Sequence, residues 1–146
     1  MEQLKISNQF CFPFYVASRM ITKLYQPLLE QYGLTYPQYL VLMVLWEESP
    51  LPVKSIGEKL YLNSNTLTPL LKRMEAMELI IRTRDTKDER KVFIELTTKA
   101  RELKSDIACV PTTLFEKLDM PMDKMQSIKK DLEDVIGLLN KSLSED

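Results

Sequence analysis

The sequence predicts a mainly α-helical protein with one small β-hairpin, and three neighbouring segments carry this prediction. In residues 64–73, helical winding at about 100° per residue gathers Leu67, Leu70 and Leu71 into one arc. A short amphipathic segment, residues 53–60, precedes that helix, and two stretches of alternating polarity follow it. With 146 residues and 45% hydrophobic content, the chain suits one domain with a sizeable core.

A long helix is expected at the N-terminus, over residues 8–30. Pro13 lies near its first turn, where a missing backbone N–H costs least, or it bends the helix if the helix begins at Ser7. We expect residues 1–47 to be mainly helices that hold two copies of the chain together.

The middle of the chain predicts a helix-turn-helix. Val53, Ile56 and Leu60 are spaced to pack inward from a short first helix. Asn63 or Ser64 can cap the second helix by accepting a bond from one of its free amides. Two helices joined by a turn of three to four residues make this motif.

The polar face of the second helix suggests contact with DNA. Short hydrogen-bonding groups and two cations suit base edges and phosphates, whereas the competing interpretation is an ordinary solvated face. The candidates for DNA contact are Ser64, Asn65, Thr66, Thr68, Lys72 and Arg73.

A hairpin with a charged tip is expected next. Residues 79–84 and 91–96 alternate in polarity around the polar residues 85–90. Asp88 can hold Arg90 by a short charge pair, with Arg90 nearest a minor groove. Three other cations either face DNA or are ordinary solvated charges: Arg82, Arg84 and Lys87. A helix-turn-helix followed by such a hairpin, or wing, is a winged helix, whose second helix enters the major groove.

The C-terminal part, residues 97–146, predicts further long helices. One runs over residues 97–117 with a Thr97 cap, and another restarts after Pro121 with an apolar stripe at spacings of three and four. That stripe consists of Met125, Ile128, Leu132, Val135, Ile136, Leu139 and Leu143.

These terminal helices are expected to interlock with those of a second copy, leaving residues 48–96 as the DNA-binding part. A two-fold dimer places two recognition helices roughly 34 Å apart, which fits a pseudo-palindromic operator in double-stranded DNA. The alternative is an intramolecular bundle and a monomer.

The charge distribution favours a local nucleic-acid surface. The whole chain carries −1, but residues 54–91 hold nine Lys or Arg and six Asp or Glu, a balance of +3. The N-terminus lacks the apolar region of a signal peptide, so a cytoplasmic protein with no membrane partner is expected.

The absence of histidine from the sequence limits the chemistry. Neither a Ser-His nor a Cys-His catalytic pair can form, and Cys11 and Cys109 are far apart and outside any paired motif, which disfavours zinc. No metal, cofactor or catalytic residue is expected.

Cys11 is the most reactive candidate group. Free amides at the start of the first helix favour a thiolate there, whereas the rings of Phe10, Phe12 and Phe14 disfavour it, so the balance stays open. The competing interpretation is a small buried apolar residue.

Four stretches resemble the MarR family of dimeric winged-helix regulators, and within it the OhrR-type organic hydroperoxide sensors. The matching stretches are residues 8–15 (NQFCFPFY), 34–40 (LTYPQYL), 66–73 (TLTPLLKR) and 88–90 (DER). The resemblance covers residues 8–110 and implies a single MarR-like domain over residues 1–146. Asn63, Ser64 and Asn65 stand where the sensors commonly have Asp, Ser and Gly, which puts the operator preference in doubt.

The resemblance also implies roles for individual residues. Cys11 matches the peroxidatic cysteine, and Tyr25 and Tyr36 match tyrosines that hydrogen-bond it from the opposite subunit. Asp88 and Arg90 match the wing tip. The chain's other cysteine, Cys109, precedes by about one helical turn the position of a resolving thiol, so its role is structural or resolving. If it is structural, a small external thiol would trap oxidised Cys11.

The sequence therefore predicts a repressor that leaves its operator when organic hydroperoxide oxidises Cys11. One alternative is a MarR-type regulator that binds an aromatic ligand in a pocket lined by Phe14, Tyr15 and Trp46. A second is a global or virulence-type regulator that uses the same thiol. A thiol peroxidase is disfavoured because nothing in the sequence supplies a cation beside Cys11.

Overall fold

Helices and strands follow one another in the order of a winged helix with long helices on both sides. The computed structural model describes residues 1–145. In that range the α-helices are α1 (Phe12–Glu30), α2 (Tyr36–Glu47), α3 (Val53–Leu60), α4 (Ser64–Ala76), α5 (Thr98–Ile107), α6 (Val110–Leu118) and α7 (Met122–Ser144). The strands are β1 (Leu51–Pro52), β2 (Ile80–Arg84) and β3 (Val92–Leu96). This order confirms the predicted fold class, mainly α with a small β wing.

The first long helix begins later than predicted, at Phe12 instead of residue 8. Two single-turn 3-10 helices precede it, and Cys11 occupies its N-cap position. A start at Phe12 places Pro13 in the first turn, where no amide has a partner inside the helix. A helix from residue 8 would have needed the N–H that proline lacks.

The start of α2 is fixed by reciprocal hydrogen bonds. The Thr35 amide donates to Gln38 Oε1 at 2.9 Å, and the Gln38 amide donates to Thr35 Oγ1 at 3.5 Å. This capping box satisfies amides that would otherwise lack partners. Buried side chains of α2, including Val41, Leu42 and Leu45, then anchor it in the core of the first part of the chain.

The helix-turn-helix forms as predicted from α3 and α4. Asn63 is the cap, and its Oδ1 accepts from the Thr66 amide at 3.0 Å. In the turn, Tyr61 is left-handed with φ 55°, and the Leu62 amide donates to the Gly57 carbonyl at 2.9 Å. The apolar face of α4 is buried as its spacing predicted, with Leu67, Leu70, Leu71 and Met74 all in the core.

Gly57 is required by the close approach of α3 to this turn. A Cβ at residue 57 would lie 2.7 Å from the Leu62 carbonyl oxygen, a backbone atom that cannot rotate away. We expect Gly57→Ala to lower the free energy of unfolding by about 2 kcal/mol, because overpacking outweighs the better helix propensity of alanine. Urea unfolding at one fixed protein concentration measures this change.

The matched control for that substitution is Ser55→Ala, which lies in the same helix and adds no volume. It should change the free energy of unfolding by less than about 0.5 kcal/mol. Equal unfolding midpoints for the two variants would contradict the close contact between Gly57 and the turn.

A three-stranded antiparallel sheet forms the wing and its base. β2 pairs with β3 in the register Ile80 with Leu96, and β1 pairs with the other edge of β3, Leu51 with Ile94. The hairpin confirms the prediction within one residue at each strand. β1 was not predicted, because two residues are too few to show alternation.

The predicted single helix over residues 97–117 is wrong, since the chain turns at Ala108 and Cys109 between α5 and α6. Pro111 gives the reason: it cannot donate to the carbonyl of Ile107, and its ring would clash with that carbonyl in a continuous helix. The predicted cap is confirmed, because Thr97 Oγ1 accepts from the Ala100 amide at 3.2 Å.

The chain divides into two compact units, Met1–Val110 and a second that begins at Pro111. The first has the buried core, which includes Leu42, Ile56 and Ile94. In the second, α7 presents its predicted apolar stripe with Ile136 41% and Leu139 56% exposed. None of the helices in the described residues is long and apolar enough to cross a membrane.

Candidate DNA interface and thiol site

The polar face of α4 is exposed, as a DNA-reading helix requires. Five of the six predicted contact residues are exposed and Thr68 is half-buried; the exposed ones are Ser64, Asn65, Thr66, Lys72 and Arg73. Among the described residues neither Lys72 nor Arg73 has an ion-pair partner, so both charges remain available to phosphates. The buried leucines behind them hold this face outward.

The wing tip is organised by one ion pair. Asp88 Oδ1 accepts from both the amide and Nε of Arg90 at 3.1 Å, and these bonds hold the pKa of the Asp88 carboxyl below its usual range. The Arg90 side chain remains 91% exposed. The predicted charge pair between Asp88 and Arg90 is thus present at the tip of the wing, and the contact of Arg90 with a minor groove stays a prediction.

Arg82 connects the wing to the recognition helix. Its side chain is only 22% exposed, and its Nη1 lies 3.6 Å from Glu75 Oε2 on α4. Alternation along β2 places residue 82 on the same side as buried Ile80. That period-two pattern was the signal that separates Arg82 from an ordinary solvated charge.

Cys11 is exposed at the N-cap of α1. Its carbonyl accepts from the Tyr15 amide at 3.3 Å, whereas its side chain makes no capping bond. The thiol therefore stands at the N-terminal end of a helix, beside backbone amides that have no partner inside the helix. It is accessible to an oxidant or to a second chain.

Tyr25 and Tyr36 lie against each other, with ring centroids 4.6 Å apart, and Tyr39 completes a tyrosine cluster at 6.0 Å from Tyr25. Burial, together with the neighbouring phenols, raises the pKa of Tyr25 to about 12, and burial also raises the pKa values of Tyr36 and Tyr39. All three therefore remain protonated donors at neutral pH. In the described residues, the hydroxyls of Tyr25 and Tyr36 have no hydrogen-bond partner.

The structure separates Cys11 from this cluster within one chain. α1 is continuous from Phe12 to Glu30, so the separation of fourteen positions between Cys11 and Tyr25 spans about 21 Å. The predicted contact between this thiol and the two tyrosines is therefore not made inside a single chain.

Cys109 lies on the bend between α5 and α6 and is also exposed as a free thiol. Its Sγ is 3.9 Å from the carbonyl oxygen of Asp106, which also accepts from the Tyr32 hydroxyl at 2.8 Å. Desolvation, followed by the neighbouring thiol, raises the pKa of Tyr32. No cluster of three or more His, Cys, Asp or Glu side chains suited to a metal occurs among residues 1–145.

A cleft of about 680 Å³ lies between α1 and the start of α2. Its lining includes the cations Arg19 and Lys23 and the ring of Tyr36. The residues described as lining this cleft include none of Phe14, Tyr15 and Trp46, so it is not the aromatic pocket predicted from the sequence. Trp46 instead packs edge-on against Tyr39.

Comparison with known proteins identifies the family. The family model described as transcriptional regulator SarA/Rot matches residues 23–107. The chain is 43% identical to the organic hydroperoxide resistance transcriptional regulator of Bacillus subtilis (strain 168), over 95% of both proteins. It is 37% identical to the HTH-type transcriptional regulator SarZ of Staphylococcus epidermidis, over 93% of this chain and 92% of SarZ.

Solved structures agree with the family model. Reduced AbfR bound to DNA, from Staphylococcus epidermidis, is 38% identical with a TM-score of 0.79, over 94% of this chain and 96% of AbfR. The structure of disulfide-formed AbfR has a TM-score of 0.67 and is 37% identical, over 92% of this chain and 95% of AbfR. The chain therefore belongs to the SarA/Rot family of winged-helix transcriptional regulators, and its architecture is that of the MarR type.

Proposed function

We propose that this protein is a cytoplasmic, redox-sensing repressor that leaves its operator DNA when an organic hydroperoxide oxidises Cys11. One observation carries the proposal: Tyr25 and Tyr36 present two adjacent hydroxyl donors without a partner among the described residues, while the exposed thiol of Cys11 stands about 21 Å from Tyr25, at the start of α1. The similarity to an organic hydroperoxide resistance regulator supports the oxidant class.

A two-fold dimer brings the separated groups together. In such a dimer, the Cys11 end of α1 from one protomer reaches Tyr25 and Tyr36 of the other, and the exposed stripe of α7 supplies apolar surface for pairing. Both phenols donate to the sulfur because their raised pKa values keep them protonated. The site exists twice per dimer and is incomplete in a single chain.

The chemistry is a two-electron oxidation of sulfur. The thiolate of Cys11 attacks the terminal peroxide oxygen, an S–O bond forms, the O–O bond breaks, and the alkoxide leaves and is protonated to the alcohol. The resulting sulfenic acid can condense with a low-molecular-weight thiol to give a mixed disulfide and water. Sulfenic acid no longer offers the tyrosines a charged acceptor, so the interlocked arrangement changes.

The DNA-binding form is the reduced one. Two α4 helices insert Asn65, Thr66 and Thr68 into successive major grooves, with Lys72 and Arg73 on phosphates and the Arg90 tip of each wing beside a minor groove. Agreement with AbfR bound to DNA supports a DNA-binding conformation of this chain. Cys109 is assigned a structural role, with an external thiol as the resolving group.

The test compares wild type with Cys11→Ser on a duplex that the reduced protein selects from a random library. Cumene hydroperoxide should raise the dissociation constant of wild type about tenfold, a coupling of about 1.4 kcal/mol, and leave Cys11→Ser unchanged. Cys109→Ser is the matched control and should respond like wild type. Equal responses of wild type and Cys11→Ser reject Cys11 as the sensor.

A second candidate is a regulator released by a small anionic aromatic ligand. The cleft beside α1 favours it, because about 680 Å³ is a usual ligand-site volume and Arg19 and Lys23 supply positive charge. Salicylate is a suitable probe. Release by salicylate that persists in Cys11→Ser and is lost in Arg19→Ala would support this candidate instead.

A further inference from the structure

The aromatic residues of α2 form a line that continues past the tyrosine cluster. Tyr36, Tyr39 and Trp46 share one face of that helix, with ring centroids 6.4 Å apart between Tyr36 and Tyr39 and again between Tyr39 and Trp46. Tyr25 of α1 packs against the first two rings. Tyr39 is only 3% exposed, so its ring, which lies beside those of Tyr25, Tyr36 and Trp46, has little free space in which to move.

The far end of this line is tied to α5 by two hydrogen bonds. The Trp46 indole Nε1 donates to the carbonyl of Ala100 at 2.9 Å, and Lys104 Nζ donates to the Trp46 carbonyl at 3.4 Å. Ala100 lies in the first turn of α5, directly after the last strand of the wing. The end of α2 is therefore fixed to the start of the helix that follows the wing.

The same turn of α5 holds the end of the recognition helix. The Thr97 hydroxyl, which caps α5, donates to the carbonyl of Glu78 at 2.8 Å, and Lys99 Nζ donates to the carbonyl of Met77 at 2.9 Å. Met77 is the C-cap of α4. Contacts thus run without a break from the tyrosine cluster, through Trp46 and the first turn of α5, to the end of the DNA-reading helix.

We infer that Trp46 is a positioning residue that transmits the state of the tyrosine cluster to the recognition helix, through its hydrogen bond to Ala100. The inference rests on the proposed function, because it needs oxidation of Cys11 to disturb Tyr25 and Tyr36. Trp46 touches neither DNA nor the sulfur in this scheme. Its role is to make the orientation of α4 depend on the packing of those rings.

Trp46→Phe separates ring packing from the hydrogen bond, because it keeps an aromatic ring but removes the indole donor. In the reduced state, operator affinity should remain within about threefold of wild type, and the rate of Cys11 sulfenylation by cumene hydroperoxide should be unchanged. The ratio of oxidised to reduced dissociation constants should fall about fivefold. A merely structural tryptophan would weaken reduced-state binding as well.

Tyr32→Phe is the matched control. It removes another aromatic donor to a carbonyl of α5, the bond from Tyr32 to Asp106, which lies outside the line of rings. Its ratio of dissociation constants should equal that of wild type. If this ratio were lowered in both variants, any loosening of α5 would weaken the response to oxidation. That result would overturn the role of Trp46.

Fluorescence gives a test that needs no variant at position 46, since Trp46 is the chain's one tryptophan. The wavelength of its emission maximum should shift when cumene hydroperoxide oxidises the wild-type protein, and this shift should be absent in Cys11→Ser. Unchanged emission during oxidation and DNA release overturns the inference, as does an unchanged ratio in Trp46→Phe. Wild type that keeps its DNA after sulfenylation instead overturns the proposed function.

Discussion

Replacing Lys72 and Arg73 together with alanine should lower operator affinity about a thousandfold. In the dimer the double substitution removes four cations from the DNA-facing surface, and about 1 kcal/mol for each gives about 4 kcal/mol. Both side chains are exposed on α4, and among the described residues no ion pair competes for them. Fluorescence anisotropy of a labelled operator measures the loss directly.

Salt dependence tests the same prediction independently of affinity. Each lost phosphate contact reduces the slope of log K against log salt by about 0.9, so the double variant should lose a slope of roughly 3 to 4. The matched control is Lys124→Ala with Lys130→Ala, which removes the same charge from exposed positions of α7. If this control reduced affinity or slope as much as the α4 pair, the assigned DNA surface would be wrong.

The net charge of −1 is no obstacle to this effect, because phosphates respond to local charge. Screening in 0.15 M salt limits an exposed charge to about 8 Å, so acidic residues beyond that distance subtract little at the DNA surface. The Arg82 contact with Glu75 neutralises an acid on α4 itself. We therefore expect binding that is specific and salt-sensitive.

Much of the DNA-binding part was predictable because its signals are local. Leu67, Leu70 and Leu71 mark the buried face of α4 by their spacing, and Asn63 marks its start by capping. The charged tip between two alternating stretches likewise located the hairpin. These features depend on residues within a few positions of one another.

Features that depend on distant residues were not predictable. The bond from Trp46 to Ala100 joins residues 54 positions apart, and β1 exists only because it pairs with β3. Pro111 did offer a local signal for the break after α5, because a proline suits the first turn of a new helix and clashes inside a continuous one, but this signal was overlooked. The proposed thiol site needs a second chain, so Tyr25 and Tyr36 were matched to Cys11 through the resemblance alone.

Replacing Tyr25 and Tyr36 together with phenylalanine should slow the oxidation of Cys11 by organic hydroperoxide about thirtyfold. Each phenol that donates to the charged sulfur stabilises it by about 2 kcal/mol, so the double variant loses about 4 kcal/mol of stabilisation at the reacting atom. A sulfur that is less stabilised by hydrogen bonds is more nucleophilic, which recovers nearly half of the loss on a logarithmic scale and leaves about 2 kcal/mol.

The rings are preserved in this double variant, so packing within the tyrosine cluster should change little. Neither hydroxyl has a partner among the described residues, and their removal therefore leaves no buried group unsatisfied in a single chain. Stopped-flow oxidation by cumene hydroperoxide, followed by sulfenic acid trapping, measures the rate.

Tyr39→Phe is the matched control, because it removes the third hydroxyl of the cluster from a residue that is only 3% exposed and so cannot meet a partner's sulfur. This variant should be oxidised at the wild-type rate. Should the double variant also react at the wild-type rate, the cluster would not touch Cys11 and the dimeric thiol site would be wrong. A slow double variant beside a normal Tyr39→Phe places this pair of donors at the sulfur of the opposite protomer, since α1 holds Tyr25 about 21 Å from Cys11 of its own chain and Tyr36 packs against Tyr25.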